Sequence, residues 1–303
     1  MNTAENLRTT AEYLPQRVRQ AVMQLAAGRV LPQEIRLRSG RPVSVTIGGR
    51  DRFLTPSGML TDTPEKGIAV TPSELGASFH AVCAYSVHSH VQDVAEGFVT
   101  IRGGCRVGIC GTAVTQPDGQ AAQRQITSLN FRIAGEAAGT AQGVWTRIGS
   151  RPAGILIAGA AGSGKTTFLR DLCRIMGNTC RTALVDERGE LACMHKGLPQ
   201  HDVGALTDVL DGWGRAEGVL TALRVLTPVC IVCDEISTRA DADALLQAAG
   251  CGVHLAASCH AGSPDELYSR PVLRPVLEAG VFRYAVFLEG MGHVRAVRPL
   301  ISA

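Results

Sequence analysis

The most specific chemical pattern in the sequence is GAAGSGKT at residues 159–166, which matches G-x-x-x-x-G-K-[ST] between a strand-like and a helix-like segment. The glycines let such a loop curl, so that backbone N–H groups and the positive end of the following helix face phosphate oxygens. Lys165 can then reach the β- and γ-phosphates, and the Thr166 hydroxyl can ligate Mg²⁺. We predict a loop that binds a nucleoside triphosphate, rather than a glycine-rich turn with a solvated lysine. The predicted nucleotide-binding residues are Gly159, Ala160, Ala161, Gly162, Ser163, Gly164, Lys165, Thr166 and Thr167.

A second pattern, VCIVCDEIST at residues 229–238, has two interpretations. Its C-x-x-C spacing occurs in thiol and metal sites, whereas an apolar strand ending in Asp234 and Glu235 suits nucleotide hydrolysis. Cys230 and Cys233 are an odd number of positions apart, so an extended strand projects their thiols on opposite faces. Thiols on opposite faces cannot share a metal, and no second C-x-x-C completes a four-cysteine zinc site. We predict a buried strand, with Asp234 directed at Mg²⁺ and Glu235 at the attacking water.

Two further polar segments follow strand-like runs, at the positions where open α/β sheets bind ligands. In ALVDERGEL, Glu187 either helps to position Mg²⁺ or water, or belongs to a solvated loop; we favour the first interpretation. In VHLAASCHAGS, His260 either contacts the γ-phosphate or the catalytic water, or is a structural histidine. A nucleophilic role for Cys259 beside His260 is disfavoured, because neighbouring residues of a strand point apart.

The elements that must position these residues change in kind along the chain. From about residue 154, strand-like and helix-like segments alternate, which predicts an α/β fold with a parallel sheet and helices on both faces. With the loop motif, this pattern indicates a RecA-like P-loop NTPase domain, preceded by a smaller α+β domain. We predict domains at 1–136 and 137–303, joined by a Gly- and Ala-rich segment at 134–154.

Within the front domain, apolar periodicity together with cap and turn residues predicts helices, strands and a hairpin. Residues 6–28 have the spacing of a helix, and residues 34–50 alternate as two strands around a Ser-Gly turn. Thr71 or Ser73 is placed to cap a further helix. Residues 97–114 predict a hairpin that turns at two glycines.

The composition is that of a globular chain of 303 residues, with 45% hydrophobic and 19% charged residues, and it excludes a disordered protein. The ten cysteines are scattered, and several lie in apolar runs where Cys acts as a small hydrophobe. The N-terminal segment is polar, without a signal-peptide core, and no apolar run approaches the ~20 residues of a membrane span. We therefore expect a cytoplasmic, reduced protein with no intrinsic transmembrane segment.

Several motifs occur in an order that is similar to one known family. They are the P-loop, VDERGE, DVGALTDVLDG, AEGVL, CDEIST and SCHAGS, with EIRLRSGRPV, GFVTIRGGCRVGICGTAV, LNFRIAGE and RPVLRPVLEAGVF. The chain resembles the stage III sporulation protein AA family, secretion-type ATPases related to type II and type IV secretion and pilus motors. The resemblance implies a hexameric ring that uses ATP and Mg²⁺ at the cytoplasmic membrane of the mother cell. Its implied partner is an inner-membrane channel protein between mother cell and forespore.

The resemblance also implies a role for each matching motif. Residues 159–166 correspond to Walker A, and the Walker B carboxylates are Asp234 and Glu235. An acidic box falls on Asp186, Glu187 and Glu190, and a histidine box falls on His260. The implied catalytic residues are Glu235, Glu187, His260 and Arg132. The implied Mg²⁺ ligands are Thr166 and Asp234.

Arg132 enters this set because the front domain of such rings lends arginines to a neighbouring subunit's nucleotide. Arg102 and Arg106 stand behind it as further candidates. The chain departs from the family pattern at three places. In the family pattern, Arg precedes the Thr of TDVLDG, Gly-Arg follows the Walker B acids and Gly follows the histidine. At these places this chain instead has Leu206, Ser237-Thr238 and Ala261.

The predicted function is an ATPase in which hydrolysis moves the two domains against each other and acts on a membrane partner. The rival from another class is a nucleic-acid-dependent NTPase, because residues 1–50 carry eight Arg against three acidic residues. An aromatic content of only 4% supplies few stacking platforms for single strands, so nucleic acid is not the expected partner. A third interpretation is a nucleotide-gated scaffold that binds ATP and hardly hydrolyses it.

Overall fold

The computed structural model describes residues 3–84, 94, 97–115, 121–133, 135, 138–290 and 292–300. The chain forms two compact units. The first unit consists of Met1–Glu136 with His195–Gln200, and the second consists of Ala137–Met194 with His201–Ala303. The domain boundary predicted from the sequence falls on residues 136 and 137, which lie outside the described residues.

The first unit is built on one seven-stranded sheet in the order β4-β3-β2-β1-β7-β6-β5, and its neighbouring strands are antiparallel. The strands are β1 Glu34–Arg38, β2 Ser44–Ile47, β3 Arg50–Leu54, β4 Leu60–Thr61, β5 Phe98–Ile101, β6 Cys105–Thr115 and β7 Ala121–Arg132. The strand pair predicted at 34–50 is confirmed as β1 and β2, and the hairpin predicted at 97–114 is confirmed as β5 and β6.

One face of this sheet carries the core of the first unit. Ile35 and Leu37 of β1 are fully buried and pack with residues such as Val18 and Phe79 from the helices. The helices are α1 Thr3–Ala11, α2 Gln16–Ala27 and α3 Pro72–Val82. Alternate residues of β1, beginning with Glu34, project on the other face and are half-buried.

The structure corrects one prediction for these helices, and it decides between the two candidate caps of α3. The single helix predicted at 6–28 is wrong, because α1 ends at Ala11 and α2 begins after Pro15. Proline lacks an N–H and disfavours helical conformation at the residue before it, so the helix is interrupted there. At α3 the cap is Thr71, whose Oγ1 accepts the N–H of Glu74 at 3.2 Å while Glu74 accepts the N–H of Thr71.

The second unit is built on another seven-stranded sheet, in the order β10-β9-β11-β12-β8-β13-β14. Its strands are β8 Ile155–Ala158, β9 Thr182–Asp186, β10 Thr207–Asp211, β11 Cys230–Cys233, β12 His254–Cys259, β13 Tyr284–Glu289 and β14 His293–Pro299. All neighbours are parallel except β13 and β14. The sheet predicted as parallel is therefore mixed, because only a short turn joins β14 to β13 and such a turn gives an antiparallel pair.

Helices of the second unit pack on both faces of its sheet. Leu156 and Ala158 of β8 join a core cluster that includes Val219 and Leu245, whereas Ile155 and Ile157 belong to a second cluster. Consecutive strand residues point to opposite faces, so the two clusters lie on opposite sides of the sheet. The helices are α4 Gln142–Arg147, α5 Lys165–Gly177, α6 Arg215–Val225, α7 Arg239–Gly250, α8 Pro264–Ser269 and α9 Arg274–Glu278.

The two cysteines of the C-x-x-C pattern fall in different core clusters. Cys230 packs with the α4 and α5 side, and Cys233 packs with the α6 and α7 side, which confirms that their thiols face opposite ways. Both are fully buried, and burial raises the pKa of Cys233 to about 12 and also raises the pKa of Cys230. Within the described ranges, no three His, Cys, Asp or Glu side chains are grouped as metal ligands. Because both are buried among apolar residues of the two clusters, these cysteines pack as small apolar side chains of β11.

Candidate functional site

The loop at residues 159–164 joins the buried strand β8 to the helix α5. Gly162 and Gly164 have φ angles of 73° and 92°, in the left-handed region that favours glycine. A side chain at Gly159 would collide with the Ser163 side chain, so the loop needs glycine to curl this tightly. Gly164 directly precedes Lys165, the first residue of α5, and Thr167 follows in the first helical turn. The loop therefore presents its backbone at the N-terminus of a 13-residue helix.

Lys165 lies over this loop with only 8% of its surface exposed. Its Nζ donates to the carbonyl oxygens of Gly159 at 3.0 Å and Ala160 at 2.8 Å. It also lies 3.2 Å from Nδ1 of His260. Burial lowers the pKa of the Lys165 ammonium, while the charges of Glu235 and Asp234 act in the opposite direction.

Asp234, the first residue after β11, faces the start of α5. Its Oδ2 lies 3.4 Å from the donating Thr166 Oγ1, and its Oδ1 accepts the hydroxyl of Ser258 at 2.5 Å and the N–H of Glu235 at 2.9 Å. Ser258 belongs to β12 and is fully buried. A hydroxyl and a carboxylate oxygen at this separation are the hard ligands that Mg²⁺ prefers, so the residues present fit that ion.

Glu235 and His260 meet at the same edge of the sheet. His260 Nε2 lies 3.2 Å from Glu235 Oε1, and Arg188 Nη1 lies 3.8 Å from Glu235 Oε2. The Lys165 ammonium can only donate, so His260 Nδ1 accepts from it and Nε2 carries the proton toward Glu235. His260 thus connects Lys165, at the start of α5, to Glu235, the second acid after β11.

Glu187, the other predicted acid, takes part in a different set of contacts. Its Oε2 lies 2.8 Å from Nη2 of Arg215, the first residue of α6, and its side chain is 42% exposed. Arg215 Nη1 lies 2.9 Å from Oδ2 of Asp241 in the first turn of α7. The printed sequence offered no local signal for this pairing, because Arg215 lies 28 residues further along the chain.

Asp186 has its carboxylate turned toward the backbone of its own loop. It accepts the N–H groups of Glu190, Leu191 and Ala192 at 2.8, 3.0 and 2.8 Å, and it is 1% exposed. The acidic box implied by the family resemblance therefore contains one acid, Asp186, that shapes the loop rather than facing outward.

A hairpin of β13 and β14 supports two loops of the site. The N–H of Gly292 donates to the carbonyl of Ser163 at 2.8 Å. Arg295 of β14 donates to the carbonyl of Gly262 at 2.7 Å, and Glu266 accepts the N–H of the same glycine at 2.7 Å. The loop that follows His260 is thereby held at both backbone polar groups of Gly262.

Arg132 belongs to the first unit, at the end of β7. Its Nε lies 3.6 Å from Oε1 of Glu34, its side chain is 65% exposed, and its cross-strand neighbours are Glu34 and Arg106. The guanidinium of Arg106 lies over the ring of Phe98, 4.4 Å from its centre. Arg132 thus lies in a polar row on a sheet face, where its guanidinium is accessible.

The second unit brings together most of the predicted site residues, and they come from the start of α5 and the ends of β11 and β12. The residues brought together are Lys165, Thr166, Asp234, Glu235 and His260. Glu187 joins the network of Arg215 instead. Three residues that contact the site or its loops were not predicted from the sequence: Ser258, Arg215 and Arg295. Ser258 was signalled by its position two residues before His260, at the end of a strand next to β11.

A glycine-rich loop between a buried strand and a helix, facing carboxylates at neighbouring strand ends, is consistent with the class of P-loop NTPases. The structure has a similar fold to the ATPase DotB of Legionella pneumophila, with a TM-score of 0.55 and 16% identity over 90% of this chain and 77% of that one. It is also similar to the pilus retraction motor PilT solved with bound ADP, with a TM-score of 0.55 and 17% identity over 90% and 79% of the two chains.

The chain belongs to the family described as sporulation stage III, protein AA, whose model matches residues 5–301. It is 33% identical over 280 residues to stage III sporulation protein AA of Bacillus subtilis (strain 168), across 90% of this chain and 87% of that protein. The family resemblance based on the motifs is therefore confirmed. In the part of the chain that the structure describes, no helix is long and apolar enough to cross a membrane.

Proposed function

We propose that this protein is an ATP-hydrolysing motor of the secretion type. The observation that carries the proposal is the cluster in which Lys165, Glu235 and His260 are linked through hydrogen-bond distances beside the paired Thr166 and Asp234. Membership of the sporulation family supports it. The fold likeness to a protein described as an ATPase and to one described as a pilus retraction motor with ADP also supports it.

In this proposal the loop of residues 159–164 and Thr167 hold the phosphates of ATP through backbone N–H groups at the start of α5. Lys165 exchanges its bonds to Gly159 and Ala160 for the β- and γ-phosphate oxygens. The partial burial of its ammonium strengthens this interaction, because a charge in a less polar environment interacts more strongly with an opposite charge.

Thr166 and Asp234 are the residues that would hold Mg²⁺. When bound, the ion would supply positive charge that offsets the negative charge developing during phosphoryl transfer. The Ser258 hydroxyl donates to Oδ1 of Asp234, which leaves Oδ2 directed at Thr166. Ser258 therefore sets the orientation of the carboxylate.

Glu235 orients the attacking water and accepts its proton in this proposal, as the acid that follows Asp234 at the strand end. His260 donates its Nε2 proton to Oε1 of Glu235 and accepts from Lys165 at Nδ1. A move of Lys165 toward ATP would release Nδ1, so His260 links the occupancy of the phosphate site to the acid.

The proposal extends to assembly and location. We propose a homo-oligomer, a hexameric ring, that acts at the cytoplasmic membrane of the mother cell on an inner-membrane channel protein. Within the ring, Arg132 would reach the nucleotide of a neighbouring subunit, and its 65% exposure leaves the guanidinium accessible for that role. Positive charge beside a transferring phosphoryl group stabilises the transition state.

The test of the ATPase proposal compares two lysines. Lys165→Ala should abolish both ATP binding and Mg²⁺-dependent hydrolysis, whereas Lys66→Ala, an exposed lysine of the first unit, should leave both unchanged. Both are measured by phosphate release and by equilibrium binding of a fluorescent ATP analogue. Unchanged hydrolysis by Lys165→Ala would overturn the assignment, and ATP binding by the parent without turnover would favour the scaffold interpretation.

The test of the assembly is light scattering of the purified protein with and without ATP, followed by recovery of partners from membranes. We expect ATP to shift the mass from one chain to a ring and the ring to retain an inner-membrane protein. Arg132→Ala should reduce turnover in the ring, with Arg50→Ala, at an exposed arginine that begins β3, as the control. A protein that stays monomeric with ATP would contradict the ring.

A second candidate function, a nucleic-acid-dependent NTPase, is favoured by one surface of the first unit. Arg36, Arg106 and Arg132 project from the same face of the sheet, and Phe98 lies beside them. Basic side chains with an aromatic ring suit a single strand. Stimulation of hydrolysis by RNA or DNA, with a steep loss at higher salt, would support this candidate, and salt-independent turnover would exclude it.

A further inference from the structure

Arg215 is a buried charged residue at the carboxyl edge of the second unit's sheet. It is the first residue of α6, and its side chain is only 5% exposed. Its guanidinium contacts two carboxylates, with Nη2 2.8 Å from Glu187 Oε2 and Nη1 2.9 Å from Asp241 Oδ2. A charge this deeply buried is costly unless it is paired, and these two carboxylates compensate the guanidinium.

The carboxylate of Asp241 holds the segment that follows the Walker B acids. Its Oδ2 accepts the N–H groups of Ser237 at 3.1 Å and Thr238 at 2.9 Å, as well as the guanidinium of Arg215. In return the hydroxyl of Thr238 accepts the N–H of Asp241, which completes a capping box at the start of α7. The backbone N–H groups of Ser237 and Thr238 therefore share one carboxylate oxygen as their acceptor.

The protonation state of Asp241 agrees with this role. Burial acts to raise its pKa, but the N–H groups of Thr238 and Ser237 and the charge of Arg215 outweigh burial and lower the pKa below its ordinary value. The carboxylate is therefore ionised at neutral pH, where it can accept all of these hydrogen bonds.

The segment between Asp234 and α7 has a partner for each of its first backbone N–H groups. The N–H of Glu235 donates to the Asp234 side chain at 2.9 Å, and the N–H of Ile236 donates to the carbonyl of Ser258 at 2.9 Å. Asp241 accepts the next two. The backbone of Glu235 is thus fixed from one side by the strand ends and from the other by Asp241, which Arg215 holds in place.

Arg215 also reaches the neighbouring loop. Glu187 follows β9, and β9 pairs directly with β11, so the acids after these two strands lie side by side. One guanidinium therefore bridges the loop that carries Glu187 and the segment that carries Glu235.

We propose that Arg215 is a positioning residue, which orients Glu235 for hydrolysis by fixing residues 235–238 to the Glu187 loop through Asp241. This inference rests on the proposed ATPase function. Glu187 then acts through Arg215 and not on the nucleotide. Lysine cannot replace Arg215, because an ammonium lacks the fork that reaches two carboxylates at once.

The experiment compares Arg215→Lys with Arg224→Lys, a matched substitution at an exposed arginine of the same helix that donates to Thr221. Arg215→Lys should lower kcat by about ten- to a hundredfold, because a misplacement of the order of 1 Å at a reacting group has effects of this size. KM and the dissociation constant for the ATP analogue should change less than about twofold. Arg224→Lys should change none of them.

A second measurement needs no activity. Hydrogen–deuterium exchange of a peptide spanning residues 234–241 should become faster in Arg215→Lys, because the N–H groups on Asp241 lose a fixed acceptor. Peptides from β8 and α5 should exchange as in the parent. Glu187→Gln, at a 42% exposed site, keeps the fold and should show the same changes to a smaller degree, so it carries the test if Arg215→Lys does not fold.

The outcomes separate the positioning role from the proposed function. Unchanged exchange at 234–241 in both variants would overturn the positioning role, whatever the parent's activity. Faster exchange with normal kcat would limit the network to stability and would also overturn it. A parent that hydrolyses no ATP would remove the proposed function, while the exchange data would still decide whether Arg215 fixes this segment.

Discussion

Two loops at the same edge of the second unit's sheet begin with the same dipeptide, Asp-Glu, and use it differently. Cys233 of β11 pairs with Val185 of β9, so Asp234 lies level with Asp186 and Glu235 lies level with Glu187. After β11, both acids face the loop and helix start that carry Lys165 and Thr166. After β9, one acid binds its own backbone and the other binds Arg215.

The difference follows from the order of the strands. β11 is separated from β8 by β12 alone, whereas β9 lies one strand further from β8 and the loop of residues 159–164 that follows it. The neighbour of Asp234 on β12 is Ser258, which donates to it, whereas the neighbour of Asp186 on β10 is a second acid, Asp211. An acidic strand end therefore gains its role from the adjacent strands and not from its own sequence.

The largest difference between the two loops is expected when the second acid of each pair is neutralised. Glu235→Gln should lower kcat by about 10²–10⁴-fold while ATP binding is retained, because a group that takes up a proton in the transition state contributes effects of this size. Glu187→Gln should lower kcat by about tenfold or less. Steady-state hydrolysis with parallel binding assays checks both, and equal losses in the two variants would show that both acids reach the nucleotide.

The next largest effect is expected at Ser258. Ser258→Ala should raise the Mg²⁺ concentration needed for half-maximal turnover by about ten- to a hundredfold, since loss of a residue that orients a metal ligand has effects of this size. Thr182→Val, which removes another buried hydroxyl at the start of β9, is the control. Magnesium titrations of turnover measure the shift, and the same shift in both variants would argue against a specific role.

Removing the charge of the first acid should affect mainly stability in the β9 loop and mainly the Mg²⁺ dependence in the β11 loop. Asp186→Asn should reduce the free energy of unfolding by about 1–3 kcal/mol, because three N–H groups lose a charged acceptor. Asp234→Asn should have a smaller effect on stability and a larger one on the Mg²⁺ dependence. Urea unfolding followed by circular dichroism checks the prediction, and a more severe loss of stability in Asp234→Asn would reverse the comparison.

The smallest effect is expected at the capping box between the β11 loop and α7. Thr238→Ala should reduce the free energy of unfolding by about 1 kcal/mol, the usual loss for a helix cap. Thr71→Ala removes the equivalent cap from α3 of the first unit and serves as the control. Both should destabilise to a similar degree in urea, but only Thr238→Ala should lower kcat.

The parts of the fold and site that the sequence predicted are those set by local pattern. Glycine spacing and strand periodicity predict the tight loop at residues 159–164, the strands that lead to Asp234 and Asp186, and the opposite facing of Cys230 and Cys233. These signals lie in the same short segments as the groups they position, so the prediction did not require the order of the strands in the sheet.

The remaining features depend on contacts between distant segments. Arg215 is one of many arginines in the chain, and its burial between two carboxylates follows from packing that no local pattern encodes. Ser258 acquires its role only once β12 lies beside β11. The break before Pro15 was a local signal that the regular apolar spacing on both sides obscured.

The antiparallel edge strand β14 has a practical consequence for protein engineering. It contributes none of the predicted site residues, yet Gly292 at its turn bonds Ser163 and Arg295 bonds Gly262. A variant chain shortened before Gly292 would keep every acid, lysine and histidine of the site and still lose both supports. Truncation mapping of this protein would then identify β14 as essential, although the strand contains no predicted site residue. A tag fused close to β14 would weaken the contacts that hold the two loops.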